Sequence, residues 1–136
     1  MQTLRKDFFN MSAKQKGWIG VDLDGTLAHY DKWRGVEHIG EPVPHMLRRV
    51  KQWLADGFDV RIFTARAYRM LYPAGTPEHE ESKQVIATIH TWLASIGLPP
   101  LPVTCFKDFG MVELWDDRCV QVVPNTGLTV EEFSKT

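Results

Sequence analysis

What this chain has little of narrows the field before any motif is read. It holds two cysteines, Cys105 and Cys119, at no metal-binding spacing, so neither a disulfide scaffold nor a structural zinc site is expected. The expectation is two reduced, mostly buried thiols in a cytoplasmic protein. The formal net charge is −1, which gives no electrostatic footprint for duplex nucleic acid or an anionic membrane. Contact with a short strand stays open. No apolar run approaches the length of a membrane span, and the N-terminus lacks the apolar core of a secretory signal. There is no P-loop and no G-x-G-x-x-G following a strand, so nucleotide binding of those kinds is not expected.

What is present suits a single domain over residues 1–136. With 43% hydrophobic residues, a chain of this length can bury roughly two-thirds of its unfolded surface. Residues 1–16 read as a tail or a short helix with Leu4, Phe8 and Met11 on one side; a role for them in homo-oligomer assembly is left open. The apolar run 17–23 reads as a buried strand, and 25–43, with its glycines, prolines and scattered aromatics, as a flap loop. Met46, Leu47, Val50, Trp53 and Leu54 recur at helical spacing and predict a helix over 44–56, with Pro44 in its first turn and Gly57 at its stop.

A strand over 58–63 and an irregular stretch over 66–77 are expected next. Val85, Ile86, Ile89, Trp92, Leu93 and Ile96 predict a second long helix over 78–96, with Thr76 as its N-cap. Strands over 103–106, 112–115 and 119–123 and a short helix over 129–134 complete the pattern. Strands alternating with long helices predict an α/β, Rossmann-like, three-layer domain with a mainly parallel sheet, helices on both faces and no separate cap domain.

The stretch that gives this frame a chemistry is Asp22-Leu23-Asp24-Gly25-Thr26, where the first strand ends. Two carboxylates two residues apart at a strand end project to the same side, and Gly25 allows a sharp turn. In a parallel sheet the carboxyl ends of the strands share one edge, where ligands bind. Thr64 ends the second strand, Lys107 follows the third, and Asp116 with Asp117 ends the fourth. Carboxylates Asp22 and Asp24 with Asp116 or Asp117 can hold Mg²⁺ through hard oxygen ligands. Asp22 can act as a nucleophile toward a phosphoryl group, Asp24 as proton carrier, Thr64 as a phosphoryl-oxygen donor and Lys107 as a fixed cation.

These motifs, in this order over residues 18–117, resemble the haloacid dehalogenase-like (HAD) hydrolase superfamily. The resemblance implies a Mg²⁺-dependent phosphomonoesterase working through an aspartyl-phosphate on Asp22, with the main-chain carbonyl of Asp24 as a further metal ligand. It assigns Asp22, Asp24, Thr64 and Lys107 to catalysis, and Asp22, Asp24, Asp116 and Asp117 to the metal. Gly25, Thr26, Ala65 and Arg66, beside those residues, are assigned to substrate binding.

The acid at Asp24 favours a phosphatase over a dehalogenase, and the short intervals between motifs resemble the small capless members. Lys83 is the other candidate for the phosphate-binding lysine. Arg66 and Arg118 could bind anions or form surface ion pairs. Tyr30, Trp33, Tyr68 and Tyr72 could stack on a ring or pack on the sheet. The alternatives are a catalytically silent phosphate- or metal-binding module or an assembly protein. The substrate is a phosphorylated molecule of open identity, a polynucleotide 3′-phosphate or a nucleotide among the options.

Overall fold

The computed structural model describes residues 17–136, so the expected tail or helix over 1–16 lies outside the described residues. The elements are β1 (Trp18–Val21), α1 (Pro44–Ala55), β2 (Asp59–Phe63), a 3₁₀ helix (Ala65–Leu71), α2 (Pro77–Ser95), β3 (Val103–Thr104), β4 (Met111–Trp115) and α3 (Val130–Ser134). Each long helix begins where its sequence permits. Pro44 occupies the first turn of α1, and Pro77 that of α2, where a missing N–H costs nothing. The Thr76 hydroxyl accepts the His79 N–H at 3.2 Å, and Glu78 and Glu80 oppose the positive helix end. Gly57 and Gly97 stop the helices at positive φ.

The four strands form one parallel sheet in the order β3-β2-β1-β4, and the described residues include no separate cap domain. The α/β class and the parallel sheet are as expected. The long helices are placed less symmetrically. The crossovers β1–α1–β2 and β2–α2–β3 step the same way across the sheet, so right-handed connection sets both helices over one face. That face supplies Ile19, Val21, Val60 and Ile62 to one buried cluster with Met46, Val50, Ile89 and Leu93. Each such side chain contributes about 1.5–3 kcal/mol of burial. On the other face the Arg61 guanidinium lies over the Trp18 ring at 4.8 Å, and Gly20 leaves room for Met111, Leu114 and Trp18.

Three local expectations differ from the structure. Residues 119–123 form no strand. Val122 makes only an isolated bridge to Thr129, because Val123 and Gln121 pair with Leu128 and Val130 around a tight turn rather than with β4. The stretch after Thr64 is not irregular throughout, since the Thr64 hydroxyl caps the 3₁₀ helix by accepting the Arg66 N–H at 3.2 Å. Both cysteines are unpaired, but Cys119 is exposed and Cys105 only half-buried. No helix among the described residues is long and apolar enough to cross a membrane.

The sheet register brings the strand ends level. Val21 aligns with Ile62 and with Trp115, and Phe63 with Thr104. The Asp22 N–H then donates to the Trp115 carbonyl at 2.9 Å, and the Thr64 N–H to Thr104 at 2.8 Å. Asp22, Thr64 and Asp116 therefore leave the sheet along one edge.

Candidate functional site

The turn after β1 is built by the chain's own alternation. Leu23 and Leu27 are fully buried, which anchors the loop on the core and turns the residues between them outward. The Leu23 carbonyl accepts N–H groups from Leu27 at 3.0 Å and Ala28 at 2.9 Å, and Gly25 N–H donates to the Ala28 carbonyl at 2.8 Å. Gly25 has φ of 91°, and a Cβ there would stand 2.6 Å from an Asp117 carboxylate oxygen. Glycine is required twice over, by its backbone angle and by the close approach of that acid.

Three acids converge on this turn. One carboxylate oxygen from each of Asp22, Asp116 and Asp117 lies within 4.8 Å of the others. The Thr26 hydroxyl sits among them, at 3.3 Å from Asp22 and 3.4 Å from Asp117, and accepts the Asp117 N–H at 3.1 Å. The Asp22 carboxyl is pushed up to about 7: burial contributes most, then the hydrogen bond with Asp117, then the negative charges of Asp116 and Asp117. A hydrogen bond from the Leu23 backbone opposes the shift in part. This donor set of hard, crowded carboxylate oxygens fits a divalent cation, which would replace mutual repulsion with attraction.

Asp24 is not part of that cluster. Both its oxygens are taken by Arg66, whose Nε donates at 2.7 Å and Nη2 at 2.8 Å. The Arg66 side chain is 5% exposed and that of Asp24 19%, so this is a largely desolvated, bidentate pair. Arg66 further donates to the carbonyls of Val36 at 3.1 Å and His38 at 2.8 Å, and its guanidinium lies 4.8 Å from the Trp33 ring centroid. One side chain thus clasps the flap to the turn after β1. The neck of the flap is pinned separately, by His29 N–H to the Glu41 carbonyl, Val43 N–H to Leu27, and Trp92 Nε1 to the Gly40 carbonyl.

Two of the three clustered acids and the clasp border one cavity of about 460 Å³. Asp22, Asp24 and Asp116 line it, as do Thr64, Ala65 and Arg66 from the end of β2. Lys107 does not. It is exposed on the turn after β3, where the neighbouring Asp108 is drawn away to the Trp18 Nε1 (2.9 Å) and the Gly110 N–H (2.8 Å). Lys83 is exposed on α2 and pairs with Glu80 at 3.1 Å. Among the described residues, the cations that border the cavity are Arg66 and Arg118.

The aromatic wall of Tyr30, Trp33, Phe63 and Tyr68 includes Phe63, which strand alternation alone assigns to the sheet. Tyr72 does not border the cavity. The pairing of Asp24 with Arg66 had one signal in the sequence: each stands three residues past the end of its strand, on neighbouring strands. Set against family models, curated proteins and solved structures, the chain matches none of them.

Proposed function

We propose that this chain is a Mg²⁺-dependent phosphohydrolase of the HAD-like kind, acting through an aspartyl-phosphate on Asp22. The observation that carries the reading is the convergence of Asp22, Asp116 and Asp117 at the carboxyl edge of the sheet, where Asp22 and Asp116 border a cavity shared with Thr64 and Arg118. Asp22, Asp116 and Asp117 would hold Mg²⁺, which when bound supplies positive charge against the phosphoryl oxygens.

A carboxylate oxygen of Asp22 attacks phosphorus as the bond to the leaving oxygen breaks. Water then cleaves the acyl phosphate, releasing inorganic phosphate and restoring Asp22. Thr64, buried at the end of β2, offers its hydroxyl to a phosphoryl oxygen while continuing to accept the Arg66 N–H. Asp24 carries the proton to the leaving oxygen and later takes one from water. With both oxygens on Arg66, it does so only when the clasp opens, and the flap that Arg66 holds is released with it.

Two observations favour a second reading, a silent module that binds metal or phosphate. The proton carrier is engaged by Arg66, and Lys107 stands outside the cavity. A phosphatase assay with Mg²⁺, run on wild type beside Asp22→Asn, separates the two. The enzyme reading expects turnover by wild type and at least a thousandfold loss in the variant. If both are equally inert on nitrophenyl phosphate, nucleotides, sugar phosphates and phosphorylated DNA ends, the silent module stands instead.

A further inference from the structure

The sequence leaves open whether the flap aromatics stack on a ligand or pack on the sheet, and the structure gives them a distinct placement. Tyr30, Trp33 and Tyr68 all border the cavity that Asp22 enters, and all are exposed, Trp33 to 54% and Tyr68 to 50%. Three large rings turned toward one solvent-filled space are costly to leave wet, and stacking a flat ligand on them removes that cost.

The wall is also held in place. Trp33 is backed on one face by the Arg66 guanidinium, and Arg66 is itself fixed by Asp24 and two flap carbonyls. Tyr68 is backed by Arg69 at 5.5 Å, and its hydroxyl accepts the Arg69 Nε at 2.8 Å. A ring held this way loses little freedom when it binds, so more of the contact energy appears as affinity. Asp24 ties the wall to the acids, because it lies two residues from Asp22 on the same hydrogen-bonded turn.

Size sets a ring-bearing ligand apart from a small ring-free one. The cavity, about 460 Å³, has room for roughly fifteen waters at about 30 Å³ each. A three-carbon phosphate would fill only its acidic end. A nucleoside monophosphate would offer a phosphate to the Asp22 side and a flat base to the aromatic wall. We propose that the cavity is a nucleoside monophosphate site, with Trp33 as the main stacking platform. The inference rests on the phosphohydrolase reading only in taking the acidic end as the phosphate end.

Calorimetric titration of the Asp22→Asn chain in Mg²⁺ with uridine 5′-monophosphate and with glycerol 3-phosphate tests it, since turnover is blocked there. The nucleotide is expected to bind at least tenfold more tightly than the ring-free phosphate. Adding Trp33→Ala is expected to weaken the nucleotide by roughly five- to hundredfold, and Trp33→Phe to restore most of it. Equal binding of the two ligands, no binding of either, or indifference to Trp33→Ala overturns the proposal. Its failure is distinguishable from that of the phosphohydrolase reading. A nucleotide bound tightly but never hydrolysed by wild type leaves the ring site standing and removes the enzyme. Nucleotide and glycerol phosphate hydrolysed with the same kcat/KM leave the enzyme and remove the ring site.

Discussion

Asp22 and Asp24 leave the same strand two residues apart and end in opposite surroundings. Asp22 meets two further acids, and its carboxyl is driven up to about 7 by burial, by Asp117 and by Asp116. Asp24 meets a largely buried guanidinium that takes both its oxygens. The first side of the turn is under electrostatic tension that a divalent cation would relieve; the second is already neutralised and serves as a clasp. Residue type and spacing alone therefore do not assign duties within an acidic pair. The neighbouring strand ends do: β4 delivers Asp116 and Asp117 to one acid, and β2 delivers Arg66 to the other.

The contrast can be broken at the clasp, where the largest effect is expected. Arg66→Ala removes the partner of a poorly solvated carboxylate and frees Val36 and His38 of the flap. A loss of about 3 kcal/mol, or roughly 10 °C in Tm, should follow by thermal denaturation. A loss under about 0.5 kcal/mol would mean that the clasp holds nothing.

The turn between the two acids comes next. Gly25→Ala places a side chain at φ of 91° and drives Cβ toward Asp117, which should cost about 2 kcal/mol. It should also displace Asp117 from the cluster while sparing the Asp24–Arg66 pair. The increase in Tm on adding Mg²⁺ should therefore shrink more than the stability of the metal-free chain explains.

The smallest effect sharpens the acidic side. A carboxyl whose pKa rises on folding holds its proton more tightly in the native state than in the unfolded chain. Asp22 therefore favours folding most below the unfolded value of 3.8, and that contribution is lost as pH climbs toward 7. Without divalent cations, stability measured by denaturant should fall by about 1–2 kcal/mol across that window, screening by solvent at this half-buried group included. Asp22→Asn should flatten the decline and leave the chain more stable than wild type at pH 7. Added Mg²⁺ should reverse the order. A wild-type profile that rises with pH over that window would place Asp22 in the wrong environment.

Much of the acidic side is legible in the sequence, because it needs only strand ends. The apolar run through Val21, the turn residue Gly25 and the run from Val112 to Trp115 locate Asp22, Asp116 and Asp117 on a common edge once the sheet is parallel. Thr64 follows by the same logic. The clasp is legible only in part, from the matching places of Asp24 and Arg66 three residues past neighbouring strands. Arg66 is 42 residues from Asp24, and whether it meets a substrate anion or a carboxylate depends on where the flap lands, which no period encodes. Lys107 departs from expectation for a related reason. The connection from β3 to β4 is a tight turn organised by Asp108 on Trp18, and a turn that short has no spare length to aim its lysine at the cavity. The strand expected over 119–123 does not form, because alternation of Val120 and Val122 signals an extended backbone without naming a partner. The local turn back to Leu128 supplies one first.

The proposed mechanism makes Asp22 a nucleophile rather than only a cation ligand. Quenching a reaction of wild-type chain with a phosphomonoester in acid, followed by peptide mass spectrometry, tests it directly. The predicted result is a phosphoryl adduct on the peptide carrying Asp22, absent when Mg²⁺ is withheld and absent from Asp22→Asn. Undiminished turnover by Asp22→Asn, or an adduct on another side chain, would contradict it.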